Sequence, residues 1–301
     1  MTNNIRRSPL FYVGDKYKLM KQLIDLFPQE IDNFYEPFVG GGTVFLNIKA
    51  RRYYLNDIDQ NLVSVHQYLI KNSYNPDYFF KNAEKVIYKY NLSRSFKEDV
   101  IPESLRKKWK KTYFARFNKE GYERLRKRVN KNKDNHPLIL YILLIYGFNR
   151  MLRFNEGGKF NLPVGNVDFN KNVARALYNY FGFVQDKEII LGSKDFREFF
   201  SEIKPSKGDF IYLDPPYLIA SSEYNKLWDY ESESGLLRSI DYINKKGIKF
   251  ALSNVTHYNG YKNELLIQWM GKYRVHEVES NYINYHNNGK KKIKEVLVTN
   301  Y

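Results

Sequence analysis

The sequence predicts an α/β protein, with a Rossmann-like sheet that a closing β-hairpin completes and with an inserted, mainly helical domain. Strand-like segments near the start of the chain flank a run of three glycines. From about residue 60 to residue 183 the sequence becomes helical, aromatic and basic, and strand-like segments then return. We therefore place the sheet domain at residues 1–60 and 184–301 and the inserted domain at residues 61–183.

The sheet begins with a predicted β-α-β unit. Phe34–Val39 has the pattern of a strand, Gly40–Thr43 that of a turn, and Val44–Leu46 that of a helix start. The turn lacks the Gly-Lys-Ser/Thr ending of a P-loop. A second strand, Arg52–Asn56, leads into Asp57. Ligands of open α/β sheets bind at the carboxyl ends of strands, so Asp57 is a candidate for binding ribose hydroxyls.

Strand-like segments and one helix complete the predicted sheet after the insertion. The last two segments alternate apolar and polar residues around Asn287–Lys290, which predicts an antiparallel hairpin. The predicted strands are Glu188–Leu191, Asp209–Leu213, Ile248–Leu252, Tyr273–Tyr285 and Ile293–Tyr301, with the helix at Ser234–Lys245.

The charge of the chain indicates a polyanionic partner. Its 49 Lys and Arg against 33 Asp and Glu give a formal net charge of +16, and nucleic acid is the leading candidate. Between Arg106 and Lys133 only Glu120 and Glu123 oppose a dense run of basic residues. A lysine-rich solvated surface is the alternative interpretation.

The absence of cysteine excludes disulfides, thiolate metal sites and cysteine nucleophiles. The five histidines have no metal-ligand spacing with acidic neighbours, so we predict no metal. No apolar run reaches the roughly 18 residues that span a bilayer, and residues 1–12 do not resemble a secretory signal. We expect a cytoplasmic protein that does not interact with membranes.

Asp214-Pro215-Pro216-Tyr217 is the motif that points most directly to chemistry, because it follows the apolar strand Asp209–Leu213 at the same sheet edge as Asp57. The prolines stiffen the turn, so it can aim a carboxylate and a main-chain carbonyl at one point beside the flat face of Tyr217. Such a turn suits an amino group on a planar ring, whose delocalised lone pair needs acceptors that draw the hydrogens out of the plane. The motif predicts methylation of an exocyclic amine with S-adenosylmethionine as the donor, which requires mainly positioning.

The motifs and their order resemble the Dam-type DNA adenine-N6 methyltransferases, over most of the chain. Pro9–Lys16 is similar to the opening motif of that family, and Glu36–Gly42 is similar to its Glu-Pro-Phe-x-Gly-x-Gly motif. The resemblance implies a Rossmann-like methyltransferase sheet with an inserted DNA-recognition domain, and a catalytic role for Asp214, Pro215, Pro216 and Tyr217. The cofactor contacts that it implies are Tyr12, Lys16, Phe38, Gly40, Gly42, Thr43, Asp57, Ile58, Asp195, Phe196 and Asp214.

Gly147–Pro163 closely resembles the DNA-reading hairpin of the same family. By that resemblance Phe148 and Asn149 fill the gap left by a flipped adenine, and Arg153 pairs with a guanine edge. Met151 and Pro163 are expected to meet a thymine methyl, and Asn155 is a further DNA contact. An ordinary basic hairpin is the alternative interpretation.

Two departures from the family pattern bear on the recognition sequence. Phe11 stands where relatives usually have a lysine that helps to read the outer guanine, and Asp15 replaces a usual glycine. GATC is therefore the leading target, with other GAT-containing sites such as GATATC left open. Double-stranded DNA is the expected partner. We expect the protein to be a monomer that acts either alone or beside a separate cognate restriction endonuclease.

Several other functions remain open from the sequence. Cytosine-N4 presents the same chemical problem as adenine-N6, whereas cytosine-C5 methylation requires the cysteine that this chain lacks. Methylation of RNA adenines or of a glutamine amide is less compatible with the hairpin. The non-enzymatic alternative is a basic DNA-binding regulator with a vestigial cofactor fold.

Overall fold

The computed structural model describes residues 5–98, 100–132, 135–220, 228–279 and 293–301. The chain divides into two compact units, each assembled from separate stretches of sequence. The helical unit comprises Met1–Asp15, Gly40–Leu46 and Asp59–Asp186, and the sheet unit comprises Lys16–Val39, Asn47–Ile58 and Lys187–Tyr301.

The sheet unit contains a mixed sheet that has eight strands within the described residues. Its order is β3-β2-β1-β4-β5-β8-β7, with the short β6 paired to β5. The pairs from β3 to β5 are parallel, and β8 lies antiparallel to both β5 and β7. The strands are β1 (Asn33–Glu36), β2 (Arg52–Asn56), β3 (Glu188–Gly192), β4 (Phe210–Leu213), β5 (Lys249–Tyr258), β6 (Tyr261–Lys262), β7 (Arg274–Val278) and β8 (Ile293–Thr299).

In the part of the sheet unit that the structure describes, the helices are α1 (Met20–Leu26), α8 (Phe196–Glu202), α9 (Tyr230–Lys245) and α10 (Glu264–Met270). All four residues of β4 are buried, as expected for a central strand of a parallel sheet. Leu236, Leu237 and Ile240 on one face of α9 join the core with Phe250 and Leu252 of β5. Their spacing on α9 is that of an amphipathic helix, so burial of this face fixes α9 on the sheet.

The strand order reverses between β1 and β4. From β1 the chain builds outward through β2 and β3, then returns to add β4 on the other side of β1. Tyr35 of β1 is level with Ile211 of β4 in the parallel register, so the segments that follow these two strands leave the sheet side by side. A reversal of this kind opens a crevice at the carboxyl edge, which is where open α/β sheets bind ligands.

The helical unit is built around an apolar helix, α6, all of whose residues from Leu138 to Tyr146 are buried. A helix that is apolar on every side belongs in the centre of a bundle, and α2, α3 and α5 pack against it. The helices are α2 (Gln60–Asn72), α3 (Pro76–Lys89), α4 (Glu103–Trp109), α5 (Tyr113–Asn132), α6 (Pro137–Tyr146) and α7 (Lys171–Val184).

The segment after α6 forms the hairpin that the sequence predicts. Antiparallel bridges join Gly147 to Val164 and Phe154 to Phe160. The turn closes with a hydrogen bond of 2.8 Å from the Gly158 N–H to the Asn155 carbonyl. Gly158 has φ +68°, a conformation that glycine adopts without strain.

Within the described residues, the strands and the helix predicted in the sheet domain are confirmed, with ends that shift by up to six residues. The predicted strand Tyr273–Tyr285 lies outside the described residues from residue 280 onward. The predicted helix start after the glycine turn is not confirmed. Only a single 3₁₀ turn, Phe45–Asn47, lies between Gly42 and β2. The short connection to Arg52 leaves no room for a regular helix. The closing antiparallel pair, β7 and β8, is also confirmed, although the predicted turn Asn287–Lys290 lies outside the described residues.

The two compact units differ from the sequence-based domain boundaries. Residues up to Asp15 and the segment Gly40–Leu46 belong to the helical unit, whereas the sequence pattern assigns them to the sheet domain. The assignment of separate cofactor and DNA roles to the two units stays a prediction. Within the described residues, no helix combines the length and apolar character needed to cross a membrane.

Gly121 allows α5 to pack closely on the segment that ends α3. A Cβ at this position would lie 1.9 Å from the Tyr90 carbonyl oxygen, whereas a Cβ at Gly182 of α7 would meet nothing within 4 Å. We predict that Gly121→Ala lowers the free energy of unfolding by about 1–3 kcal/mol. The matched variant Gly182→Ala should raise it by about 0.5–1 kcal/mol, because alanine is the better helix former. Urea unfolding monitored by circular dichroism measures both, and equal effects of the two variants would contradict the packing argument.

Candidate active site

Asp214 and Tyr217 lie at the switch point of the sheet with two further charged residues. The Lys16 ammonium is 2.7 Å from Asp214 Oδ2 and 3.8 Å from Glu295 Oε1. The Tyr217 hydroxyl is 3.1 Å from Asp214 Oδ1 and 3.2 Å from the same Glu295 oxygen. Its single proton can go to only one of these acceptors at a time. We call these four residues the carboxylate cluster.

Two members of the carboxylate cluster are buried and two are partly exposed. The side chains of Lys16 and Glu295 are 5% and 2% exposed, whereas that of Asp214 is 20% exposed and Tyr217 is also only partly buried. The Lys16 ammonium also lies 5.3 Å from the centroid of the Tyr217 ring. Asp214 and Tyr217 are therefore the members of the cluster that solvent or a ligand can reach.

Negative charge predominates at this edge. Burial raises the pKa of Tyr212, and the charges of Asp214, Glu36 and Glu295 raise it further. The Tyr212 hydroxyl is 2.8 Å from that of Ser253. The carboxylate groups outnumber the Lys16 ammonium that contacts two of them, so the edge is electrostatically suited to a cationic ligand.

Asn56 fixes the ends of three strands, a role that sequence reasoning missed. Its fully buried amide donates to the Pro37 carbonyl at 3.1 Å and to the Lys194 carbonyl at 2.9 Å. Its oxygen accepts the Lys194 N–H at 3.0 Å. Asn56 ends β2, so a single side chain connects the segments after β1 and β3. A buried amide that is satisfied in this way holds the predicted cofactor residues Phe38, Asp57 and Asp195 on a fixed frame.

An aromatic group flanks the same edge. Phe38 and Phe196 have ring centroids 5.7 Å apart, and Trp228 lies 5.7 Å from Phe38 and 5.5 Å from Phe196. The Trp228 indole donates to buried Glu233 at 2.7 Å, which also accepts bonds from Asn254 and Asn263. Burial raises the pKa of Glu233. Sequence reasoning found Phe38 and Phe196 but not the Glu233 network that fixes Trp228.

Three other predicted cofactor residues lie at the ends of β2 and β3. Asp57 is half-buried and Ile58 is 65% exposed. Asp195 caps α8 by accepting the Arg197 N–H at 2.8 Å. These positions all lie at the carboxyl edge of the sheet, as the sequence predicts, while their contacts with a cofactor stay predictions.

The remaining predicted cofactor residues, Tyr12, Gly40, Gly42 and Thr43, belong to the helical unit. A Cβ at Gly41 would lie 2.8 Å from the Tyr12 Cβ, so the opening motif packs directly on the glycine turn. Gly40 and Gly42 have φ of +48° and +77°. His66 Nε2 is 2.9 Å from the Gly40 carbonyl, and burial lowers the pKa of His66 to about 4. A neutral His66 thus donates to and stabilises the turn, which is a role that sequence reasoning missed.

The hairpin exposes most of its predicted DNA-binding residues. Phe148 is 53% exposed, and Asn149, Asn155 and Pro163 are exposed as well. Met151 is buried, at 8% exposure. The thymine contact that we expect of Met151 stays a prediction, and it would require this side chain to become accessible when DNA binds.

Arg153 is aimed by its own hairpin. Its Nε donates to the Asn161 side-chain oxygen at 2.8 Å, and its NH2 donates to the Asn161 carbonyl at 3.1 Å. Asn161 lies on the opposite arm of the hairpin, so these two hydrogen bonds restrict the Arg153 side chain before any ligand binds. An arginine that is already ordered loses less conformational entropy on binding.

Helix α5 supports the second arm of this hairpin. Asn130 donates to the Phe160 carbonyl at 2.9 Å and accepts the Phe160 N–H at 2.8 Å. Arg126, one turn earlier, donates to the Leu162 carbonyl at 3.0 Å. The basic segment Arg106–Lys133 therefore includes residues that hold the hairpin, which its charge pattern did not reveal.

Phe11, one of the departures from the family pattern, packs between two guanidinium groups. The Cζ atoms of Arg7 and Arg150 lie 4.5 Å and 4.4 Å from the centroid of its ring. Burial lowers the pKa of Arg150, and the neighbouring charge of Arg7 lowers it further. Positive charge therefore remains next to position 11 without a lysine there.

The sheet is mostly parallel, ends in an antiparallel pair of strands and carries an Asp-Pro-Pro-Tyr turn at its switch point. This combination is typical of Rossmann-like methyltransferases. The chain belongs to the D12 class of N6 adenine-specific DNA methyltransferases, whose family model matches residues 12–283. The resemblance drawn from the sequence motifs is thereby confirmed at the level of the family.

Curated relatives include restriction-modification methylases and DNA adenine methylases. Type II methyltransferase M.FokI of Planomicrobium okeanokoites is 35% identical over 310 residues, which cover 100% of this chain and 44% of that protein. Modification methylase StsI of Streptococcus sanguinis is 34% identical, with 99% and 45% covered. The DNA adenine methylase of Escherichia coli K12 is 25% identical, with 97% and 94% covered. The chain thus spans less than half the length of the first two relatives.

The double hydrogen bond of Asn130 leads to a prediction about the hairpin. We expect Asn130→Ala to lower the free energy of unfolding by about 1–3 kcal/mol, because it leaves two main-chain groups of Phe160 without their partner. Hydrogen exchange at the Phe160 amide should accelerate. The exposed Asn132 at the end of α5 provides the matched control, Asn132→Ala. If both variants exchange Phe160 at the rate of the unmutated protein, α5 does not hold the hairpin.

Proposed function

We propose that this chain transfers a methyl group from S-adenosylmethionine to the N6 atom of an adenine that is flipped out of duplex DNA. Membership of the D12 class supports the base and the atom. The observation that carries the proposal is the position of Asp214 at the switch point, where it is partly exposed beside the buried side chains of Lys16 and Glu295. Its relatives M.FokI and StsI are longer proteins, so the proposal concerns the activity of this chain and not that of a longer protein.

The residues of the sheet unit fit S-adenosylmethionine. The excess of carboxylates around Tyr212 complements a sulfonium cation. Asp57 is the proposed acceptor for the ribose hydroxyls, and Ile58, Phe38, Asp195 and Phe196 lie at the same edge. When bound, this cofactor supplies an electrophilic methyl group. The contacts of Tyr12, Gly40, Gly42 and Thr43 with the cofactor follow from the family resemblance.

Asp214 and the Pro215 carbonyl are the proposed acceptors for the adenine amino group. Hydrogen bonds to both draw the amine hydrogens out of the ring plane, which makes the lone pair of N6 available for attack. The amine loses one proton as the new N–C bond forms, and the Asp214 carboxylate is the nearest base of this turn. Tyr217 offers a flat face for the base, a contact typically worth about 1–3 kcal/mol.

The hairpin is the proposed reader of the DNA sequence. Exposed Phe148 and Asn149 are suited to filling the gap left by a flipped base, and the fork of Arg153 matches the two major-groove acceptors of guanine. Asn155 and Pro163 are exposed beside them. Met151 is buried and would have to become accessible to meet a thymine methyl.

The proposed target contains GAT, and GATC is the first sequence to test. This chain matches DNA adenine methylases at 25–29% identity. It also matches a Type II methyltransferase at 35% and a modification methylase at 34%. The arginine pair at Phe11 differs from the lysine of the family pattern, so the outer base pairs of the site are where a different specificity is expected. We propose that the chain acts as a monomer in the cytoplasm, either alone or beside a separate endonuclease.

Asp214→Ala tests the chemistry. We predict that unmutated protein, incubated with unmethylated genomic DNA and labelled S-adenosylmethionine, produces N6-methyladenine at one sequence. Asp214→Ala should lower this rate by at least about a hundredfold while its Kd for DNA changes little, because an acceptor used in the transition state is lost. The matched control is Glu277→Gln on the exposed face of β7. Modified cytosine, or a fully active Asp214→Ala variant, would falsify the proposal.

Arg153→Ala tests the reading of the sequence. Losing a bidentate contact to guanine should cost about 1–3 kcal/mol of discrimination at one base pair, so methylation should spread to sites altered at that position. Lys127→Ala on the exposed face of α5 is the control. If Lys127 contacts phosphate, its loss weakens binding to all sequences alike and lowers the salt dependence. Unchanged site choice by Arg153→Ala excludes this residue as the guanine reader.

A further inference from the structure

Glu295 is a buried acid in β8, directly before the buried apolar residues Val296, Leu297 and Val298. It pairs in antiparallel register with Val255 of β5 and Val278 of β7, and its residue is only 4% exposed. A carboxylate in such a position is strongly disfavoured unless partners compensate its charge. Its partners are Lys16 and Tyr217, the same residues that contact Asp214.

Both oxygens of Asp214 have a donor in this structure. The Lys16 ammonium lies 2.7 Å from Oδ2, and the Tyr217 hydroxyl lies 3.1 Å from Oδ1. Each carboxylate oxygen can accept a second hydrogen bond, but the two donors take up part of the capacity and the charge of Asp214. Asp214 therefore accepts most strongly from a substrate amine when one of these donors turns to another acceptor. A buried ammonium that gave up its counter-charge without replacement would be strongly destabilised.

Glu295 Oε1 is placed to be that other acceptor. It is 3.8 Å from the Lys16 ammonium, so a shift of about 1 Å converts this ion pair into a charge-assisted hydrogen bond. It is 3.2 Å from the Tyr217 hydroxyl, against 3.1 Å for Asp214 Oδ1. The hydroxyl proton can therefore exchange between the two carboxylates by rotation about the C–O bond.

We propose that Glu295 is a positioning residue for methyl transfer, which receives Lys16 and Tyr217 when Asp214 binds the substrate amine. This inference rests on the proposed function. The carboxylate cluster then has two arrangements: one in which Asp214 holds both donors, and one in which Glu295 holds them and the Asp214 oxygens accept the amine. No covalent bond changes between the two arrangements, and the charge of the cluster is conserved.

A purely structural role for Glu295 makes a different prediction. If it only balanced the charge of Lys16, its removal would reduce the amount of folded protein or cofactor binding and leave the chemical step intact. If it receives both donors, its removal leaves them on Asp214 and slows the step after both ligands have bound. The separation of rate from affinity therefore decides between the two roles.

Glu295→Gln is the principal variant, because it keeps the shape and the acceptor oxygen but removes the charge. At saturating DNA and S-adenosylmethionine its single-turnover rate should fall about 10- to 100-fold, with the KM for cofactor and the Kd for DNA within about twofold of the unmutated values. Glu295→Asp, which keeps the charge, should recover part of the rate. Glu277→Gln, on the neighbouring strand and exposed, should match the unmutated protein.

A double-mutant cycle with Tyr217→Phe guards against a folding defect. Rates are normalised to the folded fraction, measured by circular dichroism. Because both residues act through one arrangement, the losses in Glu295→Gln and Tyr217→Phe should combine to less than their product. A Glu295→Gln rate within about twofold of the unmutated rate overturns the inference. A loss of rate that disappears after normalisation to the folded fraction overturns it as well. Absence of adenine methylation by the unmutated protein, in contrast, is the outcome that removes the proposed function, and this inference falls with it.

Discussion

The reversal of strand order between β1 and β4 is the constraint on which the site depends. It makes two segments leave the same edge of the sheet side by side, and it is the reason why Asp214, far along the chain, faces the edge that begins at Phe38. The reversal alone does not fix the segments that follow the strands. Asn56 fixes two of these segments, because its one amide binds the main chain after β1 and after β3.

The chemistry adds an electrostatic requirement to this geometry. A carboxylate that orients a weakly nucleophilic amine has to be accessible, while its neighbours stay ordered. The carboxylate cluster meets both conditions, since Lys16 and Glu295 are buried and Asp214 is partly exposed. Glu295 allows the cluster to hold one lysine between two acids. A lone Lys16–Asp214 ion pair would instead have to break whenever a ligand took the place of the lysine.

Much of the sheet and part of the site could be predicted from the sequence, because they depend on local patterns. The sequence patterns of the strands predicted β2 and β4. The Asp-Pro-Pro-Tyr turn directly follows β4 in the sequence, so its position in the fold could be predicted with that strand. Glu295 could not be assigned in this way, because its partner Tyr217 is 78 residues away and only the antiparallel placement of β8 brings them together. The burial of Met151 could not be predicted for a related reason. An apolar residue in a hairpin can face a ligand or the core, and only the packing of the helical unit decides between them.

The helical unit shows how a charged segment can serve two purposes. On α5, Arg126 and Asn130 face the hairpin and bind its main chain, while Lys119, Lys127 and Lys131 are exposed. Binding of phosphates by the exposed face would fix the same helix that holds the hairpin arm opposite Arg153. Arg153 is restrained in turn by Asn161 on that arm. Sequence-independent attraction and base reading would then be mechanically linked through one helix, so the basic charge of α5 would place the reading residues as well as raise affinity.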